Sequence, residues 1–469
     1  MAILTMKFGG ASVGTTTALT QVLSIVLQEN ERWDHLILVV SALDGVTDAL
    51  IEAAQLAQLS NRRGYRRIVA TLRTRHMALV EQLPLGVNER HALQADIDRL
   101  LFDMLDICQN IANRAPGTPV SAAFDAIIGV GERLSARIVA TLLRQNQLRG
   151  VAIDATDLIV TDADFGHARP DIQLTRERIH ANLLPMLTRE IIPVVTGFIG
   201  ATQSGQPTTL GRGGSDYTAS ILAVCSDAKE VWMWTDVDGI MTTDPQEVPT
   251  ARSIPELSYD EVAELAYFGA RIIHARMIGP LREHQVNLRV KNIFRPRDAG
   301  TLIHMTRADQ SNAIKAVTMI QGISLSAEYS GPLTDITAMI DTALFETTGN
   351  HAEVMMTSQS SLRTFICFLI PTTIGPEALR TTQHYLQQRL SEVRLNVVWK
   401  VRSASVITVV GTHLDQINTQ TTRLLNSLAG IRVLALAEGP SGHNLSLVVD
   451  FDDGELALDR IHANIISSD

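Results

Sequence analysis

Three stretches of this sequence place glycines and charged side chains directly after short apolar runs. The first is KFGGAS, residues 7–12. Its two glycines let backbone N–H groups face phosphate oxygens, and Lys7 supplies a mobile positive charge for a transferring phosphoryl group. A glycine pair after a strand is also an ordinary turn, so this stretch alone decides nothing. The P-loop pattern GxxxxGK followed by Ser or Thr does not occur in the chain.

The second stretch is TLGRGGSD, residues 209–216, which precedes a helical pattern. Gly213 and Gly214 leave room for a ligand, and a guanidinium such as that of Arg212 fits bidentate binding of carboxylate or phosphate. Ser215 or Asp216 could instead cap the helix, and the loop could be a flexible connection. The density of glycine beside an arginine and an aspartate favours a binding site.

The third stretch is WTDVDGI, residues 234–240, at the end of an apolar run. Acidic residues at the carboxyl end of a strand lie where α/β sheets bind ligands. Thr235, Asp236 and Asp238 could hold ribose hydroxyls, or magnesium through water. A solvated Asp-Gly turn is the alternative interpretation.

The elements around these stretches alternate between short apolar runs and longer helical patterns, which is typical of a layered α/β domain. The sequence predicts a helical insertion over residues 61–114 and a helix over residues 16–29. The predicted strands share continuous apolar character, as expected of strands buried on both faces: Ala2–Phe8, Leu36–Ser41, Val151–Ala155, Ile192–Gly197 and Val231–Val237.

The pattern changes after a polar segment, Arg295–Asp309, where we place a domain boundary. Residues 402–466 predict a strand, a helix, two strands and a helix, which fits a small ferredoxin-like unit. Residues 315–395 repeat this order of elements without repeating the sequence itself.

Composition excludes several functional classes. The net charge of −10 argues against a nucleic-acid surface, so any nucleotide site must concentrate its positive charge locally. The three cysteines have no metal-ligand or disulfide spacing, and no metal-binding cluster is expected. No apolar run approaches the roughly 18 residues that span a membrane, and the expected location is the cytoplasm.

Several further blocks occur with these stretches in a fixed order: VVSALDGVTD (39–48), GERLS (131–135), TTDP (242–245) and ELAYFGA (264–270) with His274. Together they resemble aspartate kinases of the amino acid kinase superfamily, and the tail resembles paired ACT domains. The resemblance implies a three-layer α/β domain with a mostly parallel sheet over residues 1–305. It also implies two ferredoxin-like (ACT) α+β domains over residues 315–395 and 402–466.

The resemblance also implies an activity: ATP-dependent phosphorylation of the side-chain carboxylate of L-aspartate, with Mg2+, at the start of lysine, threonine and methionine biosynthesis. A homodimer and an amino-acid effector at the ACT domains are implied as well. The matching residues carry the roles that the motifs have in the family. Lys7 and Asp216 are catalytic. The residues implied to bind phosphate are Gly9, Gly10, Ser12, Gly213 and Gly214. Those implied to bind the substrate are Ser41, Thr47, Glu132, Arg212 and Ser215. Those implied to bind the nucleotide are Thr235, Asp236, Asp238, Met241, Gln246 and Arg271.

The sequence departs from the family pattern on the nucleotide side. Ala11 stands where Thr or Ser is usual, Met241 replaces a Tyr, Gln246 replaces an Arg and Arg271 replaces a Lys. Either the nucleotide is held in an altered way, or the chain is a catalytically weakened paralogue that binds amino acids as a regulatory subunit. A kinase for glutamate, carbamate or a nucleotide is a further alternative. The presence of Lys7, Arg212 and Glu132 favours an active aspartate kinase.

Overall fold

The computed structural model describes residues 2–115, 117–269, 273, 275–305, 314–349, 351–352, 354–369, 375–392, 397–412, 414 and 418–466. The chain forms two compact units. Unit 1 comprises Met1–Ile240, Pro255–Leu257 and Ile273–Met305. Unit 2 comprises Met241–Ile254, Ser258–Ile272 and Thr306–Asp469. Two stretches of the predicted 1–305 domain therefore group with the tail.

The elements up to residue 305 alternate as the apolar runs predicted. In chain order they are β1 (Ile3–Phe8), α1 (Gly10–Val13), α2 (Thr16–Asn30), β2 (His35–Val40), α3 (Val46–Gln58), α4 (Arg62–Gln82), α5 (Val87–Ala112), α6 (Ser121–Ile128), α7 (Val130–Gln145), β3 (Gly150–Ile153), β4 (Val160–Thr161), α8 (Ile172–Arg178), α9 (Leu184–Leu187), β5 (Ile192–Thr196), β6 (Ile199–Thr202), β7 (Pro207–Thr209), α10 (Gly214–Cys225), β8 (Glu230–Thr235), β9 (Glu256–Ser258), α11 (Tyr259–Tyr267), α12 (Ala275–Glu283), β10 (Asn287–Asn292) and β11 (Thr301–His304).

The main sheet of unit 1 has eight strands in the order β3-β5-β2-β1-β8-β10-β11-β9. The five contacts between neighbours from β3 to β10 are all parallel, and β11 runs antiparallel to β10. The central strands β1 and β2 are buried almost throughout because helices cover both faces of such a sheet. The predicted mostly parallel α/β fold class is confirmed.

The predicted helical insertion of residues 61–114 is also confirmed, as the long helices α4 and α5. Their apolar residues recur at three-to-four spacing and are buried against one another and against α3 and α7: Tyr65, Ile68, Leu72, Leu93, Ile97, Leu101 and Met104. A small separate sheet, β4-β6-β7, supports the start of the glycine-rich loop at residues 209–216.

Unit 2 is built around one antiparallel sheet. Its elements after residue 305 are β12 (Ile314–Ala327), α13 (Thr334–Thr348), β13 (Val354–Gln359), β14 (Thr364–Leu369), α14 (Gly375–Glu392), β15 (Lys400–Gly411), α15 (Asn418–Ser427), β16 (Val433–Glu438), β17 (Asn444–Asp450) and α16 (Gly454–Ile461). The strand order is β13-β14-β12-β15-β17-β16.

The two ferredoxin-like repeats share their central strands. β12 pairs with β15 from Ile314 to Ser326, so the two long strands lie side by side along almost their full length. The core beneath α13 and α14 includes Val401 of β15, and the core beneath α15 and α16 includes Val317 of β12. Each repeat therefore completes its core with a strand from the other.

A buried carboxylate fastens α11 to this sheet. Glu261 is fully buried, forms an ion pair with Lys315 at 2.9 Å, and accepts a hydrogen bond from the Thr412 hydroxyl at 2.6 Å. It also closes a capping box with Ser258. Burial raises the pKa of Glu261, but the bonds from Ser258 and Thr412 and the charge of Lys315 outweigh it, and the pKa lies below its ordinary value.

We expect Glu261→Ala to lower the free energy of unfolding of unit 2 by about 3–5 kcal/mol, because it leaves the charge of Lys315 largely buried without its partner. The cost falls away at acidic pH, where protonation of Glu261 weakens the same contacts in the wild type. Native-state hydrogen exchange of the backbone amides in β12 and β15 measures it, since both strands belong to unit 2. Glu438→Ala, at an exposed carboxylate, is the control and should change stability by less than about 0.5 kcal/mol.

No helix among the described residues is long and apolar enough to cross a membrane.

Candidate active site

The three predicted stretches meet at the carboxyl edge of the parallel sheet. Phe8 of β1 pairs with Val40 of β2 on one side and with Trp234 of β8 on the other. The residues that follow these strands therefore leave the sheet at the same edge, where ligands bind in open α/β sheets. The KFGG, SALDG and TDVDG stretches are neighbours there although they are far apart in sequence.

An ion pair joins the first stretch to the second. The Lys7 ammonium lies 2.6 Å from the carboxylate of Asp216, and both side chains are largely buried, with 12% and 15% of their surface exposed. Asp216 belongs to the first turn of α10, so the lysine side chain is held towards the positive end of that helix. The two predicted catalytic residues are thus in direct contact.

The Gly9-Gly10 turn is closely packed on its neighbours. A Cβ atom on Gly10 would lie 2.2 Å from Oδ1 of the exposed Asp44 and 3.0 Å from the carbonyl oxygen of Ala42, so a larger residue would require both neighbours to shift. The buried hydroxyl of Ser12 donates to the carbonyl of Trp234 at 3.3 Å. Because that proton is engaged, phosphate binding by Ser12 stays a prediction.

The glycine-rich loop before α10 needs residues without side chains. Gly211 and Gly213 have φ angles of 75° and 70°, in the left-handed region. A Cβ on Gly214 would lie 2.6 Å from the ring of Phe198, and the Gly214 N–H donates to the carbonyl of Gly211 at 2.9 Å. Gly214 thus serves packing and the turn, and its N–H is not directed at a ligand in this conformation.

The N-cap of α10 is Gly213, with no side-chain cap, so neither Ser215 nor Asp216 caps the helix. The first-turn N–H groups of Ser215 and Asp216 have no acceptor within the helix. They are suited to an anion, and their position beside Lys7 adds to the local positive potential.

Glu132 is the most unusual side chain of the site. It lies in the first turn of α7 with only 3% of its surface exposed. Oε1 accepts a hydrogen bond from the Ala42 N–H at 3.2 Å, whereas Oε2 is buried with no hydrogen-bond partner among the described residues. Burial raises the pKa of Glu132 to about 7. A buried carboxylate with one unsatisfied oxygen can accept a hydrogen bond from a cationic donor such as an ammonium group.

The remaining predicted substrate residues surround the same edge. Ser41 is half-buried on the segment that joins β2 to α3, and its N–H donates to the carbonyl of Phe8 at 3.1 Å; Thr47 is half-buried in the first turn of α3. Arg212 is exposed on the glycine-rich loop. Within the described part of the chain its guanidinium makes no hydrogen bond or ion pair, so it remains available to an anion.

On the nucleotide side, unit 1 contains a fixed group of polar residues. Asn292 donates from Nδ2 to the carbonyl of Asp236 at 3.2 Å and to Oδ1 of Asp238 at 2.6 Å. The other oxygen of Asp238 pairs with Arg295 at 2.7 Å. The Thr235 hydroxyl donates to Asp236 at 3.2 Å. Asp238 thus holds the turn together, and ligand binding through it would require Arg295 to move.

Met241 and Gln246 belong to unit 2. Met241 forms a single antiparallel bridge with Ser253, and the Gln246 N–H donates to Oδ1 of Asp244 at 2.8 Å. The carbonyl of Thr242 accepts from the Val317 N–H at 2.8 Å, which attaches this segment to β12. Arg271 and His274 lie outside the described residues.

A family model supplies the deciding comparison. Residues 3–292 match the model of the amino acid kinase family. The chain belongs to this family.

Its relatives include aspartokinases that match over nearly the whole chain, as the sequence predicted. Lysine-sensitive aspartokinase 3 of Escherichia coli is 28% identical over 467 residues, covering 99% of each chain. Chloroplastic aspartokinase 3 of Arabidopsis thaliana is 29% identical over 477 residues, covering 99% of this chain and 82% of that protein.

Two solved structures of E. coli aspartokinase III have the same fold. One holds aspartate and ADP (R-state), with a TM-score of 0.75, 26% identity and coverage of 99% of this chain and 100% of that one. The other holds lysine and aspartate (T-state), with a TM-score of 0.79, 26% identity and coverage of 99% of each chain.

Sequence reasoning missed three residues that contact the loops of this amino acid kinase: the buried Asp125 and Lys291, and the partly buried Arg276. Asp125 accepts from the backbone N–H groups of Gly166 and Thr209 at 2.9 and 2.7 Å, and burial raises its pKa. Lys291, 6% exposed, lies 5.1 Å from the Trp232 ring centroid. Arg276 contacts the glycine-rich loop. The only signal available was a charged residue inside an otherwise apolar pattern.

Proposed function

We propose that this chain catalyses the ATP-dependent phosphorylation of the side-chain carboxylate of L-aspartate, giving 4-phospho-L-aspartate. One observation carries the proposal: Glu132 and the Gly9-Gly10 turn meet at the same residue. The Ala42 N–H binds Glu132, and the Ala42 carbonyl would contact any side chain at position 10. An ammonium group bound by Glu132 would therefore lie close to a phosphate bound at the Gly9-Gly10 turn. A short amino acid would span the two.

The charges fit a substrate with one ammonium and two carboxylates. The free oxygen of Glu132 would receive the α-ammonium, and the available guanidinium of Arg212 would receive the α-carboxylate. These two contacts would leave the side-chain carboxylate of aspartate free to face Lys7. That carboxylate is ionised at neutral pH, with an ordinary pKa of about 3.9, so its attack on a phosphorus atom needs no general base.

Catalysis then consists of bringing two anions together and neutralising their charge. Lys7 would bind the oxygens of the transferring phosphoryl group, and the N–H groups at the start of α10 would support it. Asp216 keeps the lysine ammonium in place between substrates. Without that pairing, a flexible lysine would sample many positions and lose part of its electrostatic advantage.

ATP would enter from the Thr235–Asp238 side, with Gly9 and Gly10 at its phosphates. Mg2+ would neutralise the phosphate oxygens, and the carboxylate of Asp216 is suited to it because Mg2+ prefers hard oxygen ligands. Among the described residues no group of three or more His, Cys, Asp or Glu side chains could hold a metal ion. The nucleotide would therefore supply most of the ligands, as is common for Mg2+.

We further propose that unit 2 binds an amino-acid effector and that the enzyme acts as a homodimer at the start of lysine, threonine and methionine synthesis. The support is the ACT-like repeat pattern of unit 2, together with one relative described as lysine-sensitive and one solved structure described as a complex with lysine. The lysine-bound relative makes lysine the first effector to test.

A second candidate is a catalytically weakened regulatory paralogue. The substitutions at Ala11, Met241 and Gln246 favour it, since they remove side chains that the family uses near the nucleotide. Such a protein would bind aspartate or lysine without turning over ATP.

The test is aspartate-dependent ADP release from Mg-ATP, with aspartyl phosphate trapped as its hydroxamate. The wild-type chain should give both products in equal amounts, and Arg212→Ala should lose at least about tenfold in kcat/KM for aspartate. Arg169→Ala, at an exposed arginine, is the matched control. A folded wild-type protein that binds aspartate and forms no hydroxamate would establish the regulatory paralogue instead.

A further inference from the structure

Arg276, in the first turn of α12, reaches back to the loop that carries Arg212. Its Nη1 donates to the carbonyl of Leu210, and its Nη2 donates to the carbonyl of Ala168 at 3.4 Å. Its guanidinium carbon lies 4.9 Å from the centre of the Tyr217 ring. One partly buried side chain thus connects both sides of the glycine-rich loop to the segment beneath it.

The backbone at Gly211, next to the Arg276 guanidinium, has little space around it. A Cβ on Gly211 would lie 2.7 Å from Nδ1 of His167 and 3.5 Å from Nη1 of Arg276. Just before it, Asp125 holds the Thr209 N–H at 2.7 Å. Two side chains therefore fix the backbone that leads to Arg212: the buried carboxylate of Asp125 binds the Thr209 N–H, and the guanidinium of Arg276 binds the Leu210 carbonyl.

Beyond Leu210 the Gly214 N–H closes the loop on the Gly211 carbonyl at 2.9 Å, but no side chain among the described residues forms a hydrogen bond with the backbone of residues 211–213. Gly211 and Gly213 are both in the left-handed region, and Arg212 between them is exposed. A chain with glycines on each side of one residue has little intrinsic stiffness, so the direction of the Arg212 side chain depends on how its base is held. A planar guanidinium donates to two carbonyls while stacking on a ring, whereas an ammonium is a point charge without that fixed geometry.

We propose that Arg276 is a positioning residue for aspartate: it fixes the base of the loop so that Arg212 meets the α-carboxylate of the substrate. The proposal rests on the proposed aspartate kinase activity. It predicts a larger effect on aspartate than on nucleotide, because the Gly9-Gly10 turn is held by β1 and the SALDG segment and Lys7 lies on β1, where Asp216 of α10 also holds it. Aspartate binding should suffer, and nucleotide binding should change little.

The experiment compares Arg276→Ala, Arg276→Lys and Tyr217→Leu with the wild type by isothermal titration of aspartate and, separately, of a non-hydrolysable ATP analogue with Mg2+. We expect the Kd and KM for aspartate to rise roughly 10- to 100-fold in Arg276→Ala and by a smaller factor in Tyr217→Leu, which removes only the stacking. Arg276→Lys should resemble the alanine variant. The Kd of the analogue should change by less than about threefold.

Two controls separate positioning from general damage. Arg282→Ala, at an exposed arginine of the same helix, should leave both affinities unchanged. Guanidinium at millimolar concentration should restore part of the aspartate affinity of Arg276→Ala and none of that of Arg212→Lys. Equal losses for aspartate and nucleotide, or no loss for aspartate, would overturn the proposal. If Arg276→Ala does not fold, Arg276→Lys and Tyr217→Leu decide it. Absence of wild-type turnover would sink the proposed function, while the binding comparison would still decide the role of Arg276.

Discussion

Lys7→Met should lower kcat by about 100- to 1,000-fold while changing KM for aspartate little. The methionine side chain keeps the length and apolar contacts of the lysine stem. It removes the ammonium charge that pairs with Asp216. A positive charge aimed at the phosphoryl oxygens acts mainly in the transition state, so its loss appears in kcat. Steady-state ADP release at saturating aspartate measures the effect.

Lys229→Met is the matched control, since Lys229 is exposed just before β8. The kcat of Asp216→Asn should lie between those of Lys7→Met and Lys229→Met, because this variant keeps Lys7 but removes the carboxylate that holds its ammonium group. If Lys7→Met kept kcat and raised KM for ATP alone, Lys7 would be a ground-state binding residue rather than a catalytic one.

Glu132→Gln should raise KM for aspartate by roughly 10- to 100-fold, because a neutral amide replaces the carboxylate that receives the ammonium. The pH dependence should change as well. Burial raises the pKa of Glu132 to about 7, so in the free enzyme this carboxyl becomes ionised as the pH rises through neutrality. The wild-type KM for aspartate should therefore fall between about pH 6 and pH 8, and the variant should lose that part of the profile.

Stability provides an independent readout of the same group. Because the folded-state pKa of Glu132 lies above its ordinary value of 4.5, the neutral form favours folding below that value. This contribution is lost as the pH rises from about 4.5 to about 7, and it changes little above that pH. Without aspartate, the melting temperature of the wild type should thus fall relative to that of Glu132→Gln over this pH range, and aspartate should reverse the loss near neutral pH. Glu177→Gln, at an exposed carboxylate, serves as the control. A flat difference between the two melting curves across this range would contradict the assignment.

The local pattern of the sequence was sufficient for most elements of unit 1. The strand predicted over Ile192–Gly197 is Ile192–Thr196, and the helix predicted over residues 16–29 is Thr16–Asn30. These predictions succeeded because a strand covered on both faces is continuously apolar and a half-buried helix is periodic. The fold class and the aspartokinase resemblance were confirmed, while the individual roles of the site residues stay predictions.

The parts that were missed depend on pairing between distant residues. The first strand predicted within residues 402–466 begins at Lys400, before the predicted boundary, because pairing with β12 extends it through residues whose alternate side chains are polar. Arg276 and Asp125 bind backbone groups, and no sequence motif predicts such a contact. Glu132 was found from its motif, but its unsatisfied oxygen and raised pKa follow from burial beneath Ala42, which only the tertiary structure reveals.

The strands shared in unit 2 have a consequence for how this unit could be divided into fragments. A fragment holding only residues 402–466 would keep β15, β16 and β17 but lose β12. It would expose an unpaired edge strand and a core missing Val317 and Ile314. Open edges of this kind recruit other chains. Such a fragment should aggregate or dimerise through that edge, and the two repeats should melt in a single cooperative step instead of one after the other.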